Sequence, residues 1–188
     1  MIARFTPDAW RERRRAVLEK IKSAIRDVPD FPKPGIVFKD IAPVLGDPVL
    51  FSAVIDIFAD RHRDAGIDKI AAIDARGFIF GGALSDRLGA GFVPIRKKGK
   101  LPYKTFEQSY DLEYGSAELA VHQDAFKPGE RVLVIDDLLA TGGTAEACAK
   151  LIGKAGGEVV EMDFLIELSF LKGRDKLKGF SVFAPIVF

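Results

Sequence analysis

Apolar positions along this chain repeat at two spacings, and each change of spacing marks a change of element. Ala16, Val17, Ile21 and Ile25 recur at helical intervals, which predicts an amphipathic helix over residues 8–26. Residues 51–65 carry a second helical pattern that stops at Gly66. Between them, Asp30-Phe31-Pro32-Lys33-Pro34-Gly35 is stiff and rich in turn formers, so a surface loop is expected there. Beyond Gly66, strands and helices alternate. Residues 69–74, 91–96, 119–122, 131–136 and 159–167 read as strands, and residues 77–88 and 144–155 as helices, the second halted by Gly156 and Gly157. The strands tend to be apolar at consecutive positions, the pattern of a sheet covered on both faces. The expectation is a single α/β domain over residues 1–188, with a central, mostly parallel sheet flanked by helices.

Composition adds exclusions. The chain has 188 residues, 48% of them apolar and 29% charged, enough for one well-filled core. A net charge of +1 gives no global field to recruit nucleic acid or an anionic membrane, so any polyanion must be met by local clusters. The lone Cys148 rules out an intrachain disulfide and suits a reducing cytosol. The N-terminal residues are charged where a secretory leader needs an apolar run, and no segment reaches the roughly 20 apolar residues of a membrane span. A cytoplasmic protein is expected. His62 and His122 lie far apart with one cysteine, which builds no zinc site from the usual ligands; His62 reads as a solvated helix residue and Cys148 as packed. The Arg11-Glu12-Arg13-Arg14-Arg15 cluster reads as a solvated helix face rather than a nucleic-acid contact.

The densest chemistry follows the clearest strand. Val132-Leu133-Val134-Ile135 runs into Asp136 and Asp137, and Leu138-Leu139-Ala140-Thr141-Gly142-Gly143-Thr144 then enters a helix. Ligands of open parallel sheets bind at the carboxyl ends of strands, where this loop must lie. Gly142 and Gly143 let the backbone approach a ligand, Thr141 and Thr144 add hydroxyls, and the helix N-terminus supplies free N–H groups and a positive dipole end. The lysine of a P-loop and the spacing of a dinucleotide fingerprint are both missing, which favours a terminal phosphate monoester. Asp136 and Asp137 would stand about one sugar length away, and their mutual repulsion calls for ribose hydroxyls and a cation. Asp74-Ala75-Arg76-Gly77 likewise follows a strand and opens a helix, with an arginine suited to phosphate. Arg96, Lys97, Lys98, Lys100 and Lys104 fall within nine positions without an acid, a local anion trap beside a strand end.

Residues 132–144 closely resemble the 5-phosphoribosyl 1-diphosphate (PRPP) motif of type I phosphoribosyltransferases, and the wording of residues 138–144 is similar to the adenine-specific members. Residues 31–41 resemble that family's base-binding segment, residues 74–81 its pyrophosphate loop, and residues 96–102 and 110–115 the two ends of its mobile catalytic loop. The resemblance implies the type I phosphoribosyltransferase fold, with a small base-binding hood from residues 1–45 and a mobile loop over residues 97–115. It implies a magnesium-dependent, cytosolic homodimer of purine salvage that turns PRPP and adenine into AMP and pyrophosphate, with no nucleic-acid or membrane partner.

The same resemblance assigns residues. Asp136, Asp137, Ala140, Thr141, Gly142, Gly143 and Thr144 would hold PRPP. Asp74, Ala75, Arg76, Arg96, Lys97 and Lys100 would hold pyrophosphate, with a non-proline cis peptide at Asp74–Ala75. Phe38 and Leu138 would pack against adenine while the backbone of Val37 and Lys39 reads its edge. Magnesium would ride on PRPP, with Asp136 the candidate protein contact. Glu113 is the candidate general acid–base group, and Tyr114 would close over the site. Lys39 stands where many members carry Arg, and Ala75 where some carry Ser. Two alternatives stay open: a PRPP-sensing regulator without catalysis, and a transferase for another purine. The shortness of the N-terminal segment speaks against the first, and residues 31–40 with Leu112-Glu113-Tyr114 against the second.

Overall fold

The computed structural model describes residues 7–111 and 116–188, with side chains described at 12, 14–110 and 117–188. Glu113 and Tyr114, and the side chains of Arg11 and Arg13, lie outside the described residues. The chain divides into two compact units, residues 1–57 and 58–188.

In the first unit, helix α1 (Pro7–Ala24) ends before the expected residue 26. Ile21 and Ile25 are buried, as the helical spacing requires, whereas Ala16 is exposed. Arg26 already begins strand β1 (Arg26–Pro29), which pairs antiparallel with β2 (Val37–Asp40). Neither strand was expected. Each is only four residues long, β1 mostly exposed and β2 half-buried beyond Val37, so no apolar alternation marks either. Opposite charges face each other in register instead: Arg26 reaches Asp40 at 2.5 Å and Lys39 reaches Asp27 at 2.6 Å. In the turn between the strands, the Asp30 carboxylate accepts the Gly35 N–H at 2.7 Å, the Phe31–Pro32 peptide is cis, and the Phe31 ring meets Phe38 edge-on at 5.2 Å. Helix α2 (Ala42–Gly46) follows, then α3 (Pro48–His62), whose first turn is capped by Asp47 accepting the Val49 and Leu50 N–H groups at 2.8 and 3.1 Å.

The second unit is built on β3 (Lys69–Ile73), α4 (Gly77–Leu88), β4 (Gly91–Lys97), β5 (Thr105–Asp111), β6 (Ser116–His122), β7 (Arg131–Leu139), α5 (Gly143–Lys154) and β8 (Glu158–Glu167). Two 3₁₀ turns (Ser169–Leu171 and Gly173–Leu177) lead to the short strands β9 (Val182–Phe183) and β10 (Ile186–Val187). Among the described residues one sheet runs β10-β8-β7-β3-β4-β6-β5, with β9 also on β8. Pairings from β10 to β4 are parallel, and β6 pairs antiparallel with both β4 and β5. The central sheet is therefore mostly parallel, as expected, with an added hairpin. That hairpin revises the expected strand at 119–122: β6 starts at Ser116, and residues 105–111 form its partner rather than open loop.

Burial on both faces explains the unbroken apolar runs. Val132 and Val134 belong to a core with Ala145, Ala149, Leu151 and Ile152 of α5, and Phe58 packs edge-on against Phe80 of α4 at 6.4 Å. Cys148 is fully buried in the α5 core, where burial and then the Asp136 charge push its thiol pKa up.

His62 corrects an expectation. It is 3% exposed rather than solvated, and its Nε2 lies 2.7 Å from Asp163 Oδ2 and 3.7 Å from Glu161. Arg61 donates twice to Glu161, each at 2.7 Å, and Ser181 donates to the same carboxylate at 2.6 Å. The sequence hides this cluster because about a hundred residues separate α3 from β8. Burial lifts Asp163 to a pKa of about 6 despite the hydrogen bond from His62. We expect Arg61→Met to destabilise the fold by about 3 kcal/mol, because it strands a buried carboxylate. Arg61→Met with Glu161→Leu should cost less than the sum of the single changes, and urea unfolding of the four proteins checks this cycle.

Candidate active site

β3 lies between β4 and β7, and the order of the sheet reverses there, so the carboxyl ends of β3 and β7 flank a crevice. Both ends carry the expected chemistry. β3 runs into Asp74–Ala75, a cis peptide bond as the resemblance implied, and Arg76 stands at the entry of α4. β7 runs three residues further than expected, to Leu139, so Asp137 lies in the strand with Asp136. Asp137 is 3% exposed, and Arg76 Nε lies 2.6 Å from its Oδ2. Asp136 Oδ1 accepts the Asp137 backbone N–H at 2.9 Å.

This pair is electrostatically stressed. Burial, and after it the neighbouring Asp137 charge, push the Asp136 pKa well above the usual carboxylate range; the Asp137 N–H and Arg76 oppose that rise only in part. Burial also raises Asp137, with Arg76 as the main counterweight. Gly77 lets α4 sit directly on this strand end. A side chain there would come within 2.8 Å of the Ile135 carbonyl and 3.1 Å of Asp136 Oδ1.

Downstream, Gly142 adopts φ 80° and Gly143 starts α5, whose N-terminus has no side-chain cap. The first-turn N–H groups of such a helix have no intrahelical partner. Leu138, Leu139, Ala140, Thr141, Gly142, Thr144, Ala145 and Phe164 line a pocket of ≈ 70 Å³ in front of them. Phe164, from β8, was not anticipated; nothing local in an apolar strand announces its part in a pocket. The structure thus gathers Ala140, Thr141, Gly142 and Thr144 of the expected phosphate loop around one small cavity, and Gly143 is not among its lining residues.

The basic run divides into two groups. Arg96 donates to Asp74 Oδ2 at 2.9 Å and to the Lys100 carbonyl at 3.0 Å, tying the start of that run to the Asp74–Ala75 turn. Lys98 sits 2.8 Å from Glu107 and 3.0 Å from Glu118, across the β5–β6 hairpin. Its acids arrive from strands that the sequence spacing did not reveal, so Lys98 is not an open part of the anion trap. Among the described residues, Lys97 and Lys100 are exposed and have no ion-pair partner. In the first unit, Phe38 is half-buried, Val37 is 49% exposed, and Lys39 is held by Asp27. Leu138 is half-buried in the second unit.

A parallel sheet whose switch point carries a phosphate-sized loop, paired carboxylates and an arginine defines a sugar-phosphate-handling α/β protein. Residues 44–176 match the phosphoribosyl transferase domain family. The chain is 53% identical over 171 residues to the adenine phosphoribosyltransferase of Methylacidiphilum infernorum, covering 91% of this chain and 96% of that protein. The crystal structure of adenine phosphoribosyltransferase from Rhodothermus marinus superposes with a TM-score of 0.89 at 52% identity, covering 93% and 99% of the two chains. The Saccharomyces cerevisiae enzyme, complexed with an imino-altritol bisphosphate and adenine, gives 0.87 at 39% identity, covering 91% and 99%. The chain belongs to the phosphoribosyl transferase family and, within it, to the adenine phosphoribosyltransferases.

Asp136→Asn should raise the melting temperature at neutral pH by a few degrees, since it removes a stressed charge while an amide oxygen can still accept the Asp137 N–H. The sign follows from the upward shift. A carboxyl that holds its proton more tightly when folded favours the fold below its unfolded pKa, and that advantage is lost as pH rises through the folded pKa. The gap between the variant and the wild type should therefore shrink toward acid, as thermal melts across a pH series would show. A variant melting below the wild type at neutral pH contradicts this reading.

Proposed function

We propose that this chain transfers the 5-phosphoribosyl group of PRPP to adenine, releasing AMP and pyrophosphate, as a salvage enzyme. The observation that carries this is the Asp136–Asp137 pair beside an uncapped helix N-terminus, in a chain of this family. Ala140, Thr141, Gly142, Gly143 and Thr144 hold the terminal phosphate through backbone N–H groups and hydroxyls. Asp136 and Asp137 take ribose hydroxyls, which offset their repulsion. Asp74, Ala75 and Arg76 receive the pyrophosphate from the β3 side, and Lys97 and Lys100 supply mobile positive charge from the loop over residues 97–115. Arg96 joins that set by exchanging Asp74 for pyrophosphate. Phe38 and Leu138 offer apolar faces for adenine, and the backbone of Val37 and Lys39 offers groups for its edge.

The reaction breaks the bond from the anomeric carbon to pyrophosphate and forms one to a ring nitrogen of adenine, through an oxocarbenium-like transition state. Carboxylates near the sugar favour the developing positive charge, and Arg76, Lys97 and Lys100 neutralise the departing diphosphate. Glu113 takes the proton from the attacking imidazole edge, and Tyr114 helps exclude water. Hard oxygen donors suit magnesium, and Asp136, less committed to Arg76 than its neighbour, is the carboxylate that fits it. Bound there with PRPP, the ion would supply charge neutralisation to the diphosphate.

Residues 1–45 supply the base-binding hood of a single functional module. The cytosolic homodimer implied by the family belongs to the same reading. Exposed Ile79 and Phe92 support a self-association surface, and among the described residues no helix is long and apolar enough to cross a membrane.

Incubation with PRPP, magnesium and each nucleobase in turn tests the reaction: adenine should yield AMP, and hypoxanthine or guanine far less. A PRPP-sensing regulator would give no nucleotide with any base. For Glu113, replacement by Gln should lower turnover by about 100- to 10,000-fold while PRPP still binds, and replacement by Asp should recover part of the loss. Wild-type turnover in Glu113→Gln would assign that residue to a loop tether.

A further inference from the structure

The phosphate loop does not stand alone. Gly142, in its left-handed conformation, abuts the backbone of Gly173, at the start of the second 3₁₀ turn. A Cβ on Gly142 would overlap the Gly173 carbonyl oxygen. A Cβ on Gly173 would overlap the Ala140 carbonyl oxygen and come within 3.0 Å of the Leu139 side chain. Two main chains thus touch with no side chain between them, just behind the pocket lined by Ala140 and Thr141.

Gly173 is fixed from the other side as well. Arg174 donates to both oxygens of Glu167 at 2.8–2.9 Å and to the Val182 carbonyl at 2.9 Å. Glu167 ends β8 directly opposite Leu139, the last residue of β7, and the Leu168 N–H bonds the Leu139 carbonyl at 3.0 Å. Leu177, one turn on, is 1% exposed in the core that also holds α5. The contacts close a ring: Leu139, the phosphate loop, Gly173, Arg174, Glu167 and back to Leu139. A planar guanidinium held by a buried carboxylate is a stiff link in such a ring.

We propose that Gly173 and the Arg174–Glu167 pair are positioning residues for the phosphate loop. They form a brace that holds the loop's N–H groups at the 5-phosphate without touching it. The proposal rests on the assignment of residues 140–144 to a phosphate. Misplacing a positioning group by about 1 Å can cost on the order of 100-fold, so the effect should be specific and large. An added methyl at Gly173 pushes on the Ala140 carbonyl and displaces the loop. Loss of the guanidinium fork slackens it.

Calorimetry with ribose 5-phosphate, alongside steady-state kinetics, tests this. Gly173→Ala and Arg174→Met should each weaken ribose 5-phosphate binding by about 10-fold or more and raise KM for PRPP, with turnover at saturating PRPP and KM for adenine changed far less. Arg174→Lys, which keeps the charge but not the fork, should recover part of the loss. Should Gly173→Ala fail to fold, Arg174→Met must show the same split. If wild-type protein binds ribose 5-phosphate and the variants bind it equally well, the brace is wrong. It is also wrong if adenine and PRPP parameters fall together with melting temperature, for that marks general damage. If the wild-type protein ignores ribose 5-phosphate, the phosphate-loop assignment fails and the brace falls with it.

Discussion

Asp136 and Asp137 are adjacent carboxylates at the end of a strand buried on both faces, and like charges so placed repel in a poorly solvated setting. Much of the surrounding structure answers that repulsion. Arg76 is brought to 2.6 Å from Asp137 by a helix that can start there only because Gly77 has no side chain. The Asp137 N–H turns back onto Asp136. Even so, burial and the Asp137 charge keep the Asp136 pKa shifted upward.

The cationic side is arranged in the complementary way. Lys98 spends its charge on Glu107 and Glu118 of the β5–β6 hairpin, and Asp74 holds Arg96 at 2.9 Å. Lys97, between Arg96 and Lys98, and Lys100, beyond them, are left open to solvent. The acidic pair on β7 and the open lysines at and beyond the end of β4 stand on the two sides of β3 in the sheet order.

What the sequence made legible was whatever depends on local pattern. Residues 77–88 matched α4 to the residue, and the long strands at Lys69, Gly91, Arg131 and Glu158 were found within a few residues, because burial on both faces writes itself as consecutive apolar positions. The loop that enters α5 and the cis Asp74–Ala75 turn were legible through their residue types and the family they resemble, while what they bind stays with the proposed function. Features made by distant pairings were not. β1 and β2 hold together by facing charges and show no periodicity. Lys98 seemed open until β5 and β6 brought Glu107 and Glu118 to it. His62 seemed solvated until β8 placed Asp163 beside it, and Gly173 gave no local hint that it backs Gly142.

In the function proposed for this chain, sugar hydroxyls relieve the Asp136–Asp137 pair, whose pKa values burial raises. Binding should then lower the Asp136 pKa and release protons. Titration calorimetry with ribose 5-phosphate in buffers of differing ionisation enthalpy measures that release directly, and Asp136→Asn subtracts the part due to the phosphate itself. The upward shift of Asp136 predicts that wild-type protein releases more protons than the variant at pH values above the ordinary carboxylate range. Equal release by the two proteins, or net uptake by the wild type relative to the variant, would contradict it.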